Sequence, residues 1–259
     1  AYGPVIAVGS MDWGFRPAYY TDYGSWVDIT APGGDAYTAQ SVIDKKYYTN
    51  GMVMSTILCD DTMDYQDGRK DDDYWYGYGF MQGTSMACPH VSGVAALGLA
   101  YAAQNGKKYT PSEFKALLLS SVYGIDDYFT GSKRGDGVIV PDLSVYKNKM
   151  GGGCIDALKL LLAIKGTPAI YVKTGEAATV DFARYFGGDK SVVALESAKF
   201  ASPSNLGIGS LSAVFNGTKI TFECSKTGTS LLMISAKAGD TTIEREFAIV
   251  SRPSLAGNG

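Results

Sequence analysis

The arrangement of hydrophobic and polar positions changes near residue 165 of this 259-residue chain. Before that point, short apolar runs bounded by Gly and Pro alternate with longer helical segments, which is typical of an α/β domain with a parallel sheet. The predicted strands are 5–8, 26–30 and 52–58, and the predicted helices are 85–103, 111–122 and 155–164. Residues 1–165 are therefore interpreted as one α/β domain.

The first predicted helix, which begins near Ser85, is apolar on nearly every side. A helix of this kind is expected to be buried inside a domain. Pro89 is then expected in the first turn, where a missing amide costs nothing, and Asn105–Gly106 is expected to end the helix. The second helix is predicted to start at Thr110, with Glu113 completing a capping box.

Beyond Gly166-Thr167-Pro168, the hydrophobic positions recur with a period of two. Short strands separated by turns such as Asn216–Gly217 predict a small all-β antiparallel sandwich over residues 166–252. The predicted strands are 169–172, 178–182, 192–196, 219–222, 230–236 and 242–250. Residues 253–259 are interpreted as a tail.

Composition and charge exclude several classes of protein. Hydrophobic residues make up 46% of the chain, charged residues 19%, and the net charge of −3 comes with no basic stripe, so neither disorder nor nucleic-acid binding is expected. Four scattered cysteines and one histidine do not form a metal-ligand pattern, and buried free thiols are expected instead. No uninterrupted apolar run approaches the roughly 18 residues of a membrane span.

The segment from Gly83 to Gly93, GTSMACPHVSG, places Ser85 at the start of the predicted helix. Free backbone amides and the positive end of the helix dipole meet there and can stabilise an oxyanion. A serine at that point could attack a carbonyl carbon while its own amide binds the developing negative oxygen. The residues alone also permit a plain N-cap serine, which is the commoner role.

This segment resembles the nucleophile motif of the subtilisin-like serine peptidase family, the subtilases. Four further segments resemble the family in order and spacing: VIAVG at 5–9, DITAPG at 28–33, MSTI at 54–57 and GGCIDA at 152–157. The resemblance covers residues 1 to about 165 and implies a serine endopeptidase without a cofactor that acts on peptides or proteins. It implies Ser85 as nucleophile and oxyanion-hole amide, with Gly83, Thr84 and Met86 beside the site.

The family's catalytic aspartate and histidine motifs, and its oxyanion-hole asparagine, would precede Ala1. His90 follows Ser85 by five residues, which is about 140° around a helix and about 7.5 Å along it, too far for a general base. We therefore expect His90 to have a packing role. Either an N-terminal half of the same domain supplies the missing groups, or the chain is a non-catalytic binding or adhesion protein derived from a subtilase.

Two other segments carry functional hypotheses. The acidic and aromatic stretch 60–78 is interpreted as a surface loop that is either a solvated insertion, a substrate-selecting loop or a calcium site. Residues 179–186 resemble the start of cadherin-like or immunoglobulin-like modules, which implies a spacer, an adhesion unit or a glycan-binding surface. Both resemblances together imply a secreted or cell-surface protein.

Overall fold

The computed structural model describes residues 5–37, 51–56, 78–186, 192–208, 214–238 and 240–253. The chain divides into two compact units, Ala1–Leu160 and Leu161–Gly259. Most of the acidic and aromatic stretch 60–78 lies outside the described residues, and so does Cys59.

The first unit holds eight described strands and the main helices. Its strands are β1 Val8–Met11, β2 Ile29–Pro32, β3 Val53–Thr56, β4 Tyr78–Met81, β5 Val122–Tyr123, β6 Lys133–Arg134, β7 Ile139–Val140 and β8 Cys154–Ile155. Its helices are α1 Thr84–Gln104 and α2 Pro111–Ser120, and α3 Ala157–Lys165 begins in this unit.

A four-stranded sheet in the order β1-β2-β8-β5 forms the centre of the first unit. β1 and β2 are parallel, β2 and β8 are parallel, and β5 is antiparallel to β8. The sequence placed the first strand at 5–8, but it begins at Val8, because the Ala7 amide is bound by the Asp28 carboxylate at 2.9 Å. The expected mixed α/β architecture with a parallel sheet is confirmed.

Helix α1 packs against β1 and β2 and against the neighbouring helices. Its buried residues are Ala87, Val91, Gly98 and Ala102, and Gly98 faces Phe114 of α2 and Leu160 of α3. The expectation of a fully buried helix was wrong for the described residues: Leu97 and Leu99 are 49% and 48% exposed. Apolar residues lie on nearly every side of α1. Among the described elements, only the sheet and the segments next to it cover the helix.

Helix α1 is also the one helix among the described residues long and apolar enough in composition to cross a membrane. Its best 18-residue window has a mean hydropathy of 1.3, and 22% of that window is buried. Polar residues such as His90 and Ser92 interrupt its apolar sequence, so the helix contains no continuous apolar run of that length. Length and composition are weak indications by themselves, since core helices of soluble proteins share them.

Helix α2 begins with the predicted capping box. Thr110 Oγ1 accepts the Glu113 amide at 3.3 Å, while the Glu113 carboxylate accepts the Thr110 amide at 2.8 Å. The Thr110 amide, and after it the Thr110 hydroxyl, which donates to the same carboxylate at 2.8 Å, hold the pKa of Glu113 below its ordinary value. The local prediction is confirmed because all its atoms lie within one helical turn.

Replacing Thr110 with alanine is expected to lower the free energy of unfolding of the first unit by about 1 kcal/mol, because the amide of Glu113 loses its acceptor. Chemical denaturation measures the loss. The matched control is Ser112→Ala, an exposed residue of the same turn. An equal loss in both variants would contradict a stabilising role for the capping box.

The second unit is built from strands, apart from the end of α3 and the short 3-10 helices Ala183–Phe186 and Pro203–Asn205. The strands are β9 Ala169–Lys173, β10 Ala177–Asp181, β11 Val192–Phe200, β12 Val214–Asn216, β13 Lys219–Glu223, β14 Gly228–Ala238 and β15 Thr241–Arg252. All six predicted strands of this region are present. β12 was missed, because Asn216–Gly217 marked its end but its first residues carry no alternation.

The seven strands form two sheets, in the orders β11-β14-β15-β9 and β10-β13-β12. One hydrophobic core contains buried side chains from both sheets, among them Phe182, Ile220, Leu232 and Phe247. The strands were expected to be wholly antiparallel, and that was wrong for one pair: β9 runs parallel to β15, with Ala169 opposite Ala248. The first and last strands of the unit meet at this edge.

Candidate active site

Ser85 lies at the carboxyl end of the parallel strands. It is the second residue of α1, and it is exposed. The Gly83 amide donates to the carbonyl oxygen of Gly33 at 3.0 Å, and the Gly33 amide donates to Met11 at 3.2 Å. The start of the helix is thus tied to the ends of β1 and β2, the edge where open α/β sheets bind their ligands.

Two glycines allow this close approach. A Cβ on Gly33 would stand 2.0 Å from Ser10 Oγ and 2.6 Å from the carbonyl oxygen of Gly83. Gly83 has φ 151° and ψ 162°, which side-chain-bearing residues rarely adopt. Glycine is therefore needed at position 33 for space and at position 83 for backbone conformation.

The amide of Ser85 points out of the first helical turn. The amides of Met86 and Ala87 bond to the Gly83 carbonyl at 2.9 and 3.3 Å, whereas the Ser85 amide and hydroxyl have no hydrogen-bond partner among the described residues. No side chain caps this end of α1. An exposed hydroxyl therefore lies beside an unpaired amide at the positive end of a helix of 21 residues.

The neighbours named by the sequence surround this serine. Thr84 is exposed and Met86 is half-buried, with its Sδ 3.7 Å from where a Cβ on Gly83 would stand. Pro89 was expected in the first turn, but α1 starts at Thr84 and Pro89 is its sixth residue. The carbonyl of Ser85 consequently lacks the amide donor that a helix normally supplies four residues on.

His90 does not approach Ser85 from within the helix. Its Nδ1 lies 2.8 Å from the carbonyl oxygen of Met86, and its side chain is exposed. The expected packing role was wrong, because the described residues leave this side of α1 uncovered. The argument against His90 as general base stands, since the ring is bound back along its own helix.

Sequence reasoning missed two side chains beside the turn. The Tyr20 hydroxyl lies 2.9 Å from Ser10 Oγ and 3.0 Å from the Gly33 carbonyl oxygen. Burial raises the pKa of Tyr20 to about 12, so it stays a neutral donor to that carbonyl. Gln82 Oε1 accepts the Ala36 amide at 2.7 Å. No motif marks either residue.

The described cysteines and carboxylates do not form a metal centre. Cys154 and Cys224 are buried free thiols, as expected, and burial raises the pKa of Cys154 to about 12. Cys88 was expected to face the interior of the fold but is exposed. Within the described ranges, no group of three or more His, Cys, Asp or Glu side chains could hold a metal ion.

The sequence that forms this site was compared with known protein families. The subtilase family matches residues 1–151, which include the whole described site. The chain belongs to the subtilase family.

Individual relatives of this subtilase are proteases. The thermophilic serine proteinase of Bacillus sp. (strain AK1) is 37% identical over 97 residues, 38% of this chain and 16% of its own length. The extracellular basic protease of Dichelobacter nodosus is 35% identical over 115 residues, 44% of this chain and 15% of its own. A solved protease of Pseudoalteromonas arctica is 27% identical, with 62% of this chain and 36% of that chain covered and a TM-score of 0.39. The subtilase chain thus spans about a sixth of the first two relatives.

Replacing Gly83 with alanine in this subtilase is expected to strain the turn by about 1–3 kcal/mol and to displace Ser85. In the complete peptidase domain, the reaction of Ser85 with a fluorophosphonate is then expected to slow by about tenfold or more. Gly93→Ala is the control: it lies in the interior of α1 with open space around it, and alanine is the better helix former there. Unchanged labelling of the Gly83 variant would contradict a strained turn that positions Ser85.

Proposed function

We propose that this chain carries the nucleophile of a secreted serine endopeptidase, which hydrolyses peptide bonds of peptide or protein substrates through an acyl-enzyme on Ser85. One observation carries the proposal. An exposed serine, whose amide has no hydrogen-bond partner among the described residues, begins a helix at the carboxyl edge of a parallel sheet, inside the segment that matches the subtilase family. A plain N-cap serine would instead use its hydroxyl to bind a helix amide.

The chemistry follows from this position. Ser85 Oγ attacks the scissile carbonyl carbon, and the Ser85 amide, aided by the helix dipole, donates to the oxygen that becomes negative. The hydroxyl proton passes to a general base and then to the leaving amine. Water hydrolyses the resulting ester and regenerates Ser85. No step uses a metal or an organic cofactor, and a structural calcium ion remains compatible with the proposal.

The general base and its carboxylate partner are proposed to come from an N-terminal half of the same peptidase domain. The chain has one histidine, His90, and that ring is bound to its own helix. Buried carboxylates near the turn belong to Asp12 and Asp35, and both are paired with Lys133. Neither is available to orient a catalytic histidine.

The surface of the first unit agrees with the proposal that a further half of the domain packs against it. Strand β1 is an edge of the described sheet, although Ser10 and Met11 within it are 0% and 2% exposed. Beside α1 lies an apolar groove of about 800 Å³, lined among others by Ile6, Ala95, Leu99, Tyr109, Phe114 and Leu118. Packed segments of the same domain would cover this groove and the exposed leucines of α1.

The second unit is proposed to be an immunoglobulin-like or cadherin-like sandwich over residues 166–252 that supports or spaces the peptidase domain. Two sheets with a shared apolar core favour this architecture. Secretion or cell-surface location is proposed from the kind of module and from the family. The printed name of the Dichelobacter nodosus relative, an extracellular protease, agrees with it.

Fluorophosphonate labelling tests the proposed function. The chain is prepared together with its N-terminal half and treated with the probe, and the labelled residue is located by peptide mass analysis. Labelling at Ser85, and its absence when the same chain is prepared without that half, are expected. A complete, folded domain that stays unlabelled and cleaves no peptide would favour the alternative, a non-catalytic binding or adhesion protein.

A further inference from the structure

A buried ionic cluster lies beneath the turn that carries Ser85. Lys133 Nζ is 2.8 Å from Asp12 Oδ2 and 2.9 Å from Asp35 Oδ2, and it donates to the carbonyl oxygen of Pro17 at 2.6 Å. The three side chains are 1%, 3% and 0% exposed. All three ammonium hydrogens thus have acceptors, and the two carboxylates share one cation.

Burying these charges is costly, so the cluster needs a reason other than stability. Apolar side chains of similar volume often stabilise a core as well as a buried ion pair does. Burial raises the pKa of Asp35, and the neighbouring Lys133 ammonium opposes that shift. Charged clusters of this kind fix geometry more than they add free energy, because their hydrogen bonds have direction.

Asp35 is held from several sides. Its Oδ2 accepts the Tyr19 amide at 2.8 Å in addition to Lys133, and its Oδ1 accepts the Tyr37 amide at 2.7 Å. The backbone amide of Asp35 donates to Gly51 at 2.8 Å. The position of residue 35 is therefore set by long-range contacts with Tyr19, Gly51 and Lys133 in addition to the local contact with Tyr37.

Asp35 is the member of the cluster that is connected to the turn of Ser85 through residue 33. Asp35 follows Gly33 by two residues, and the Gly33 carbonyl oxygen accepts the Gly83 amide at the N-cap of α1. Any shift of the 33–35 segment moves that acceptor and, with it, the start of the helix. Ser85 is two residues further along.

Asp12 holds the turn that follows β1. Asp12 Oδ1 accepts the amides of Gly14 and Arg16 at 2.8 and 2.9 Å, which closes the local turn after β1. None of the Asp12 hydrogen bonds found in the described part of the chain reaches residues 33–35 or 83–85 directly. The two carboxylates thus share Lys133 and a similar burial, but Asp35 holds the 33–35 segment itself, whereas Asp12 holds the turn after β1 and is connected to Gly33 only through Met11.

We propose that Lys133, acting through Asp35, is a positioning residue that fixes the turn of Ser85. This inference rests on the proposed peptidase function. Lys133 and Asp35 touch neither substrate nor reacting atoms in this scheme. Their effect is to hold the Gly33 carbonyl where the Gly83 amide meets it, so that Ser85 Oγ and the Ser85 amide keep a productive geometry.

The paired variants Asp35→Asn and Asp12→Asn test the proposal in the complete peptidase domain. Each removes one carboxylate from the same ammonium and leaves the other. Because small misplacements of a reacting group can cost up to about 100-fold in rate, Asp35→Asn is expected to lower kcat by roughly tenfold or more with KM within about twofold. Asp12→Asn is expected to lower kcat by a clearly smaller factor, because Asp12 reaches the turn of Ser85 only through Met11. Equal losses of kcat in both variants, or no loss in Asp35→Asn, would overturn the positioning role.

Amide hydrogen exchange gives a second readout that needs no catalysis. The Gly83 amide is expected to exchange at least about fivefold faster in Asp35→Asn than in Asp12→Asn, because only the first loosens its acceptor. Should Asp35→Asn fail to fold, Asp35→Glu keeps the charge but shifts the carboxylate and is expected to raise the same exchange rate. Unaltered Gly83 exchange in a folded Asp35 variant refutes the inference. If the complete wild-type domain is not labelled by the fluorophosphonate but shows the expected exchange pattern, the proposed function is refuted and the positioning role is not.

Discussion

Replacing Ser85 with alanine is expected to abolish fluorophosphonate labelling and to lower peptide hydrolysis by the complete domain at least about a thousandfold. Without Oγ no acyl-enzyme can form, and only the binding and oxyanion contributions to catalysis remain. The hydroxyl makes no hydrogen bond with any described residue, so the thermal unfolding temperature should change little. Steady-state kinetics and intact-mass labelling measure the effect.

The matched control is Ser92→Ala on the same helix. Ser92 is also exposed, but its hydroxyl donates to the carbonyl oxygen of Cys88 at 3.3 Å, one turn beyond the site. Its activity and labelling should stay at the wild-type level. If the Ser85 variant kept substantial hydrolysis, or if both variants lost it together, the assignment of the nucleophile would be wrong.

Replacing Phe247 with alanine is expected to destabilise the second unit by about 3–5 kcal/mol. Phe247 is 0% exposed on β15, and the centroid of its ring lies 4.9 Å from that of Phe182 and 5.1 Å from that of Tyr185. The cavity left by the ring would face side chains from both sheets. Such a loss is a large part of the stability of a domain of this size.

Hydrogen exchange of the β14 and β15 peptides in increasing denaturant measures this loss, because it reports on the second unit separately. Met233→Ala on β14 serves as the control, since that side chain is 41% exposed and its truncation should cost less than about 1 kcal/mol. Comparable destabilisation by the two variants would mean that Phe247 is not a centre of the core.

The helices and their ends were largely predictable because they depend on neighbouring residues. The capping box of Thr110 and Glu113 and the helix end at Asn105 involve groups within a few positions of one another. The strands of the second unit followed from a period of two, since alternate side chains face its core. Ser85 was placed at the start of α1 from a contiguous segment, because a helix start is a local property of that segment.

The predictions that were wrong concern which faces of the helices are covered and which strands pair. Helix α1 carries apolar residues on all sides, and composition alone could not tell which side the described sheet covers. The orientations of Cys88 and His90 followed from the same assumption of full burial and failed with it. The parallel pairing of β9 with β15 joins segments that lie about 80 residues apart, and no local pattern encodes such a pairing.

The amino-acid sequence by itself determined where the helices and most strands lie, which family motif is present, and that Ser85 begins a helix. The hydrophobic period, the capping residues and the glycine turns each depend on a few neighbouring residues. The elements that they specify can therefore be predicted from the sequence. Only the tertiary structure brought Lys133 to Asp12, 121 positions earlier, and to Asp35, and set the Gly33 carbonyl against Gly83. Contacts of that range arise from packing of the whole domain, which selects among many possible partners for each buried charge.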